Sequence, residues 1–310
     1  MPCKPERNVA ALRSVSCQMS LLIDAEKGNM KSGPTNDLES ALAEAKAEFR
    51  HVIQVAIAAK NAAANTPTDR RGDIADVLAL RNILTAISIN QLLEPAAVAG
   101  IPALSSPDPL SISVLVRSLA ETHLTLYGVA CLPVSTEESQ LRLLWWDWHE
   151  LNERIRARDM IKSQKPGVEK LDSEKAALAQ KISGHPSFGK LPDDLNAWFR
   201  KGDRPRRATF ETTRKLAELA GIHAERFEAL YQTTSAAAHA EPIVVSLLRP
   251  HEPNDEAIVR SIKREVSFAT AFLAFTVRDF ALLAPKAEEV FDDQFRKTVF
   301  VWSRVLAKPF

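Results

Sequence analysis

Glycine and cysteine are scarce in this chain of 310 residues, and both scarcities exclude kinds of site. Only ten glycines occur, and none forms a Gly-rich phosphate loop. The three cysteines, Cys3, Cys17 and Cys131, stand at spacings that fit neither a disulfide framework nor a zinc site. A His-Glu-x-x-His motif is missing as well. We therefore predict no metal and no cofactor, and a reducing, cytoplasmic location.

Long apolar runs and an excess of one charge are also missing. The most apolar stretch, residues 268–283, is interrupted by Arg278-Asp279 and is short for a bilayer span of about 20 residues. The chain has 40 basic and 39 acidic residues, a formal net charge of +1. A protein so balanced has no global field that attracts nucleic acid or a membrane. We expect no membrane partner, and any RNA site must be local.

Helix-forming sequence is abundant by contrast. Alanine-rich tracts, apolar residues every three or four positions and the lack of alternating Val/Ile/Thr runs predict an all-α fold, a multi-helix bundle. We expect a single helical domain over residues 37–310, preceded by a loosely attached N-terminal arm over residues 1–36. The arm contains one short amphipathic piece, Ala10 to Asp24, before the breakers Gly28-Asn29 and Gly33-Pro34.

Four segments organise the expected bundle. A helix from Asp69 to Leu93 contains many apolar residues, and a helix from Leu110 to about Cys131 is expected to be its buried central element. Gly, Pro and Asp predict a loop-rich insertion near residues 183–208 with one short turn. A last helix is expected from Lys286 to Val305. The apolar residues of the first of these helices are Ile74, Val77, Leu78, Leu80, Ile83, Leu84, Ile87 and Ile89.

The central helix is apolar on two sides. One stripe contains Leu115 and Leu119, and the opposite side contains Val114 and Leu124 together with Arg117 and Glu121. A helix that is apolar on both sides is usually buried on both, so we expect Arg117 and Glu121 inside the protein. Since they lie one turn apart and an unpaired buried charge is costly, we expect them to pair.

These residues, with Tyr231, Ser235 and His239 on a later helix, resemble a bacterial helical family called domain of unknown function 5677. The family pattern is an Arg and a Glu one turn apart, followed after a variable region by a Tyr, a Ser and a His. The resemblance covers residues 69 to about 283 and implies a helical fold. The family name implies no activity.

A second resemblance is to the HEPN superfamily of helical nucleases and nucleotide-binding proteins. Its ribonuclease members carry an Arg, four to six residues and then a His. Arg117 and His123, with five residues between them, fit this spacing, although Ser118 holds the position directly after the Arg. The resemblance implies metal-independent cleavage of RNA.

Arg117, Glu121, Ser235 and His239 can be interpreted in two ways. As a catalytic site, Arg117 binds an anion and His239 moves a proton. As a buried polar network, Arg117 is neutralised by Glu121 and the set fixes how two helices dock. His123 lies roughly 120° round the helix from Arg117, where a histidine is more often a core residue than a catalyst.

The insertion ends in a group of three arginines, which is the best local candidate for binding phosphate because it lies in a loop. The group consists of Arg204, Arg206 and Arg207. Acidic residues at Asp203 and Glu211 reduce its net positive charge.

Two hypotheses of function follow. The first is a HEPN-like, metal-independent ribonuclease or toxin-like defence protein that binds RNA, in which His123 or His239 is the general base and Arg117 stabilises the phosphorane. The alternative is a non-enzymatic scaffold that binds a partner protein or small ligand, with the same residues structural. A homodimer is compatible with both.

Overall fold

The computed structural model describes residues 35–64, 66, 68–94, 107–161, 168–202, 207–239 and 256–309. These ranges contain no strand, which confirms the all-α prediction, whereas the N-terminal arm lies almost wholly outside them. The α-helices are α1 (Thr35–Ala63), α2 (Arg70–Leu92), α3 (Pro109–Leu126), α4 (Thr136–Ile161), α5 (Val168–Ser183), α6 (Asp193–Arg200), α7 (Thr213–Leu219), α8 (Ala224–Ala238), α9 (Glu256–Ala281) and α10 (Asp293–Leu306). A π-helical segment, Tyr127–Cys131, continues α3, and 3-10 turns span Phe188–Lys190 and Pro285–Val290.

Three aspartates decide where helices begin. The side chain of Asp69 accepts a hydrogen bond from the first turn of α2, and Asp108 does the same for α3, where Pro109 follows. Asp292 accepts from the amide of Phe295 at 2.7 Å and starts α10. The expected continuous helix from Lys286 to Val305 is therefore wrong, since a 3-10 turn and a capped new helix replace it.

The main core surrounds α3 and α9. Helix α3 packs against α2, α8 and α9, and α9 packs against α1 as well. Every residue from Ala269 to Val277 of α9 is buried. Asn82 of α2, fully buried, donates hydrogen bonds to the hydroxyl of Thr276 at 2.8 Å and to the carbonyl of Leu119 at 3.2 Å. These bonds tie α2 to α9 and α3 inside the core.

The end of α3 differs from a regular α-helix. The predicted helix to Cys131 is helical throughout, but its last five residues are π-helical. Here α7 approaches closely, because a Cβ placed on Gly128 would lie 2.7 Å from the Cδ2 atom of Leu216. A larger residue at position 128 would therefore require the end of the Leu216 side chain to move.

A second core lies beside the first. It is built by α4, α5, α6 and the connecting segments between α5 and α7. The indole of Trp145 in α4 is fully buried and donates to the carbonyl of Arg207 at 3.2 Å. The insertion near 183–208 thus contains a helix, α6, as well as loops, and it contributes to a core. The buried residues of the second core are Leu141, Trp145, Trp148, Ile182, Leu191, Leu195 and Phe210.

Candidate functional site

Arg117 is bound on three sides by protein groups. Its Nε donates to a carboxylate oxygen of Glu121 at 3.0 Å, so the expected pair is present. Its Nη2 donates to the hydroxyl of Tyr231 in α8 at 2.6 Å, and the guanidinium carbon lies 4.3 Å from the centre of the Tyr231 ring. Because a cation over an aromatic face is attracted by the ring, Arg117 fixes the packing of α3 against α8. We call these three residues the Arg117 cluster.

The expectation that Arg117 and Glu121 are both inside the protein is wrong for Glu121. The Glu121 side chain is 41% exposed and that of Arg117 is 20% exposed. Val114, on the same side of α3, is 37% exposed. Leu124, the second apolar residue of this side, is fully buried, so the side is buried at Leu124 and reaches solvent at Val114 and Glu121.

Ser235 and His239 follow Tyr231 along α8. Ser235 is partly buried, and His239 is exposed at the C-cap, where its amide donates to the carbonyl of Ser235 at 3.1 Å. His239 stands eight positions after Tyr231, roughly 12 Å further along the helix axis. Tyr231 is therefore the α8 residue that completes the cluster with Arg117. Its spacing of four from Ser235, on a shared helix face, was the signal for it.

His123 lies in the main core with none of its side chain exposed. Its ring packs near Phe272 and Phe275, and burial lowers its pKa from 6.5 to about 4. The Nε2 atom lies 3.9 Å from an oxygen of Asp279, itself 2% exposed. A general base must reach its substrate, so the catalytic role considered for His123 does not fit this position, whereas the core interpretation does.

The group of three arginines is only partly described, since Arg204 and Arg206 lie outside the described residues. The guanidinium of Arg207 donates to Asp194 at 3.0 Å and to the carbonyl of Phe210 at 2.9 Å, and it lowers the pKa of Asp194. Arg207 is thus neutralised by a carboxylate and holds the insertion together. Binding a phosphate would require it to leave both partners.

Sequence reasoning missed a buried ion triad centred on Arg142 of α4. Arg142 is 6% exposed and binds Glu138 at 2.8 Å and Glu211 at 2.6 Å, and it also lies over the Phe210 ring. The spacing of four between Glu138 and Arg142 was a usable signal, but Glu211 is 69 residues away in the chain. The Nη1 atom of Arg142 donates to the carbonyl of Gly128 at 3.4 Å, so the triad joins the two cores.

The sequence does not predict the apolar surface that lies between α2 and α3. Val77 is 65% exposed, Leu84 is 55% exposed and Leu80 is 42% exposed, although all three were counted among the apolar residues of a helix expected to pack in the bundle. They border a shallow depression of about 400 Å³, which we call the α2–α3 groove. Its lining consists of Val77, Leu80, Arg81, Leu84, Thr85, Ser88 and Leu115.

The described part of the chain contains neither a helix that could cross a membrane nor a cluster of metal ligands. No helix there is long and apolar enough to cross a membrane. Among the same residues, no group of three or more His, Cys, Asp and Glu side chains could hold a metal ion.

No protein-family model, curated protein or solved structure matches this chain. The resemblances to domain of unknown function 5677 and to the HEPN superfamily therefore rest on the motif residues alone and stay predictions.

Proposed function

We propose that this protein is a non-enzymatic helical scaffold that binds a partner protein in the α2–α3 groove, with the Arg117 cluster serving a structural role. The observation that carries the proposal is the exposure of Val77, Leu80 and Leu84 side by side on one helix face. Contiguous exposed apolar surface bordered by polar residues is typical of protein interaction sites.

The chemistry of the groove favours an apolar partner surface. Its apolar lining includes Leu115 of α3, and its polar lining consists of Arg81, Thr85 and Ser88. The spacing of Val77, Leu80 and Leu84 is that of the apolar positions in a helix seam, which accepts the side chains of a second helix. Burying each such side chain is worth about 1.5–3 kcal/mol relative to exposure. An amphipathic helix is therefore the expected partner element.

The alternative, a HEPN-like ribonuclease or toxin-like defence protein, requires an accessible arginine beside a histidine. Arg117 already uses its guanidinium on Glu121 and Tyr231. His239 is exposed but lies roughly 12 Å further along α8 than Tyr231. This arrangement supports the scaffold more than the enzyme.

The proposal is tested by partner capture followed by reconstitution. Purified protein is used to capture binding proteins from its native cell extract, in parallel with Leu84→Glu. Val301→Glu, at a valine of α10 that is 42% exposed, is the matched control. A partner should bind wild type and the control and be lost with Leu84→Glu. Purified partner should then show at least a tenfold weaker affinity for Leu84→Glu.

Purified protein also tests the ribonuclease hypothesis. Wild type, Arg117→Ala and His239→Ala are incubated with cellular RNA in the presence of a chelator. We expect no difference among the three. Cleavage by wild type that both folded variants lack would overturn the scaffold proposal, as would equal capture of every partner by wild type and Leu84→Glu.

A further inference from the structure

The sequence of α10 and of the residues after it carries positive charge that no acidic residue balances. From Gln294 to Phe310 the chain contains four basic residues and no Asp or Glu, although its overall formal charge is only +1. The four are Arg296, Lys297, Arg304 and Lys308. In so balanced a protein a site for a polyanion has to be local, and this segment meets that condition.

Three of these four cations have no acidic partner. Arg296 donates to a carboxylate oxygen of Glu288 at 3.2 Å and is therefore neutralised. No carboxylate among the described residues pairs with the other three side chains, and all three residues are exposed. They can bind an anion without first giving up an ion pair, which Arg207 cannot do.

Phe300 lies among these cations on the outer side of α10. Lys297, Phe300 and Arg304 lie within about 60° of one another around the helix. Phe300 is 57% exposed, and the guanidinium carbon of Arg304 lies 4.6 Å from the centre of its ring. Lys308 stands just beyond the end of α10, so the cations extend over roughly 17 Å along the axis, and Asp293 bounds them at the start of the helix. We call Lys297, Phe300, Arg304 and Lys308 the α10 basic face.

A guanidinium stacked on an exposed aromatic ring, with further cations beside it, suits a single strand of nucleic acid. The bases of an unpaired strand stack on aromatic side chains and on arginine guanidinium planes, while Lys and Arg bind the phosphates. Phe300 and Arg304 offer both kinds of stacking surface. In a duplex the faces of the bases are covered by their neighbours, so an unpaired strand is the better fit.

The other exposed apolar residues of α10 do not favour a lipid surface. A helix that lies on a bilayer needs its apolar side chains together on one face. Val305, which is 36% exposed, lies roughly 140° round the helix from Phe300, and Lys297 and Arg304 lie between these two directions. Inserting both apolar side chains into a bilayer would therefore carry the two cations in with them.

We propose that the α10 basic face binds single-stranded nucleic acid without cleaving it. Lys297, Arg304 and Lys308 bind phosphates, and a base stacks on the pair formed by Phe300 and Arg304. This activity is independent of the α2–α3 groove, because the two surfaces share no residue. With three phosphate contacts, the logarithm of the affinity should fall with the logarithm of the salt concentration at a slope of about −2.

Fluorescence anisotropy of a short, fluorescein-labelled oligouridylate at low ionic strength tests the charges. Lys297→Glu combined with Arg304→Glu should weaken binding about tenfold or more. The control, Lys170→Glu combined with Arg156→Glu, makes the same change in net charge at exposed residues of α5 and α4 and should weaken binding less than about twofold. An equal loss in both double variants would overturn the proposal, since binding would then follow the overall charge.

Phe300→Ala tests the stacking, because it removes the ring and keeps every charge. It should weaken binding about fivefold or more with an unchanged salt slope, whereas Val305→Ala should bind as wild type does. Circular dichroism checks that each variant folds. Equal affinities of Phe300→Ala and wild type would overturn the proposal.

Further probes identify the ligand. An oligodeoxyuridylate of the same length, which lacks the 2′-hydroxyl, is titrated alongside: clearly weaker binding identifies RNA as the ligand, and equal binding identifies any unpaired strand. Failure of wild type to bind either strand would overturn the proposal, and binding to phosphatidylserine vesicles in its place would show a lipid surface instead. Leu84→Glu should bind the oligouridylate as wild type does, so loss of the groove partner and loss of nucleic acid are separate results.

Discussion

Replacing Arg117 by alanine should destabilise the fold mainly through the loss of Tyr231. The hydrogen bond from the guanidinium to the Tyr231 hydroxyl is charge-assisted, a type worth about 1.5–3 kcal/mol, and the ring contact adds about 0.5–1 kcal/mol. The bond to Glu121, four residues away and 41% exposed, adds about 0.3–0.5 kcal/mol. Because Arg117 keeps some contact with solvent, we expect a total loss of about 2–3 kcal/mol.

This figure is smaller than the loss of about 3–5 kcal/mol for breaking a fully buried ion pair. The exposure of Glu121 also means that its charge is hydrated once Arg117 is removed. Arg117→Ala combined with Glu121→Gln should therefore regain no more than about 0.5 kcal/mol. Urea unfolding followed by far-ultraviolet circular dichroism measures each free energy of unfolding.

A double-mutant cycle identifies the partner that matters. Tyr231→Phe removes the hydroxyl and keeps the ring, so it should couple to Arg117→Ala by about 1 kcal/mol or more. Glu121→Gln should couple by less than about 0.5 kcal/mol. An unchanged or increased stability of Arg117→Ala would refute the structural role and favour an active site, where such a residue is often held at a cost to stability.

Two further predictions concern buried charges. Arg142→Ala leaves Glu138 and Glu211 without their shared cation and should lower the free energy of unfolding by about 3–5 kcal/mol. In urea unfolding, tryptophan fluorescence should change early, because Trp145 lies in the adjacent core. A single unfolding transition with an unchanged midpoint would contradict this prediction. His123 has a folded pKa of about 4, below its ordinary 6.5, so its contribution to stability is complete above pH 6.5 and is lost as the pH falls through 4. The loss should amount to about 3 kcal/mol, and the free energy of unfolding of His123→Phe should fall by about that much less on acidification. Parallel plots of unfolding free energy against pH for wild type and His123→Phe would show that His123 does not titrate in this way.

The all-α fold could be predicted because helix signals are local. Asp69 and the Pro that follows Glu94 bound α2 in the sequence, and the structure ends that helix within a residue or two of the expected positions. The pair Arg117–Glu121 could be predicted for the same reason, since four residues of helix bring the two side chains together.

Other features could not be predicted because they depend on which elements meet. Helix α2 contains apolar residues around most of its circumference, so its pattern does not reveal that Val77 and Leu84 face solvent. The pairing of Arg142 with Glu211 depends on how the second core folds back onto α4. The π-helical end of α3 leaves no periodic signal, since it changes a single turn.

The joint made by Arg142 has a consequence for how the molecule opens. The second core has far fewer buried residues than the first, and regions with few buried contacts open at lower free energy than the rest of a protein. Amides of α5 and α6 should thus exchange with solvent before those of α9. The guanidinium of Arg142 donates to the carboxylates of Glu138 in α4 and of Glu211 before α7, and also to the carbonyl of Gly128. Because Gly128 lies in the π-helical turn that follows α3, opening of the small core should disturb that turn. Arg142 is therefore the residue that couples opening of the small core to the turn after α3.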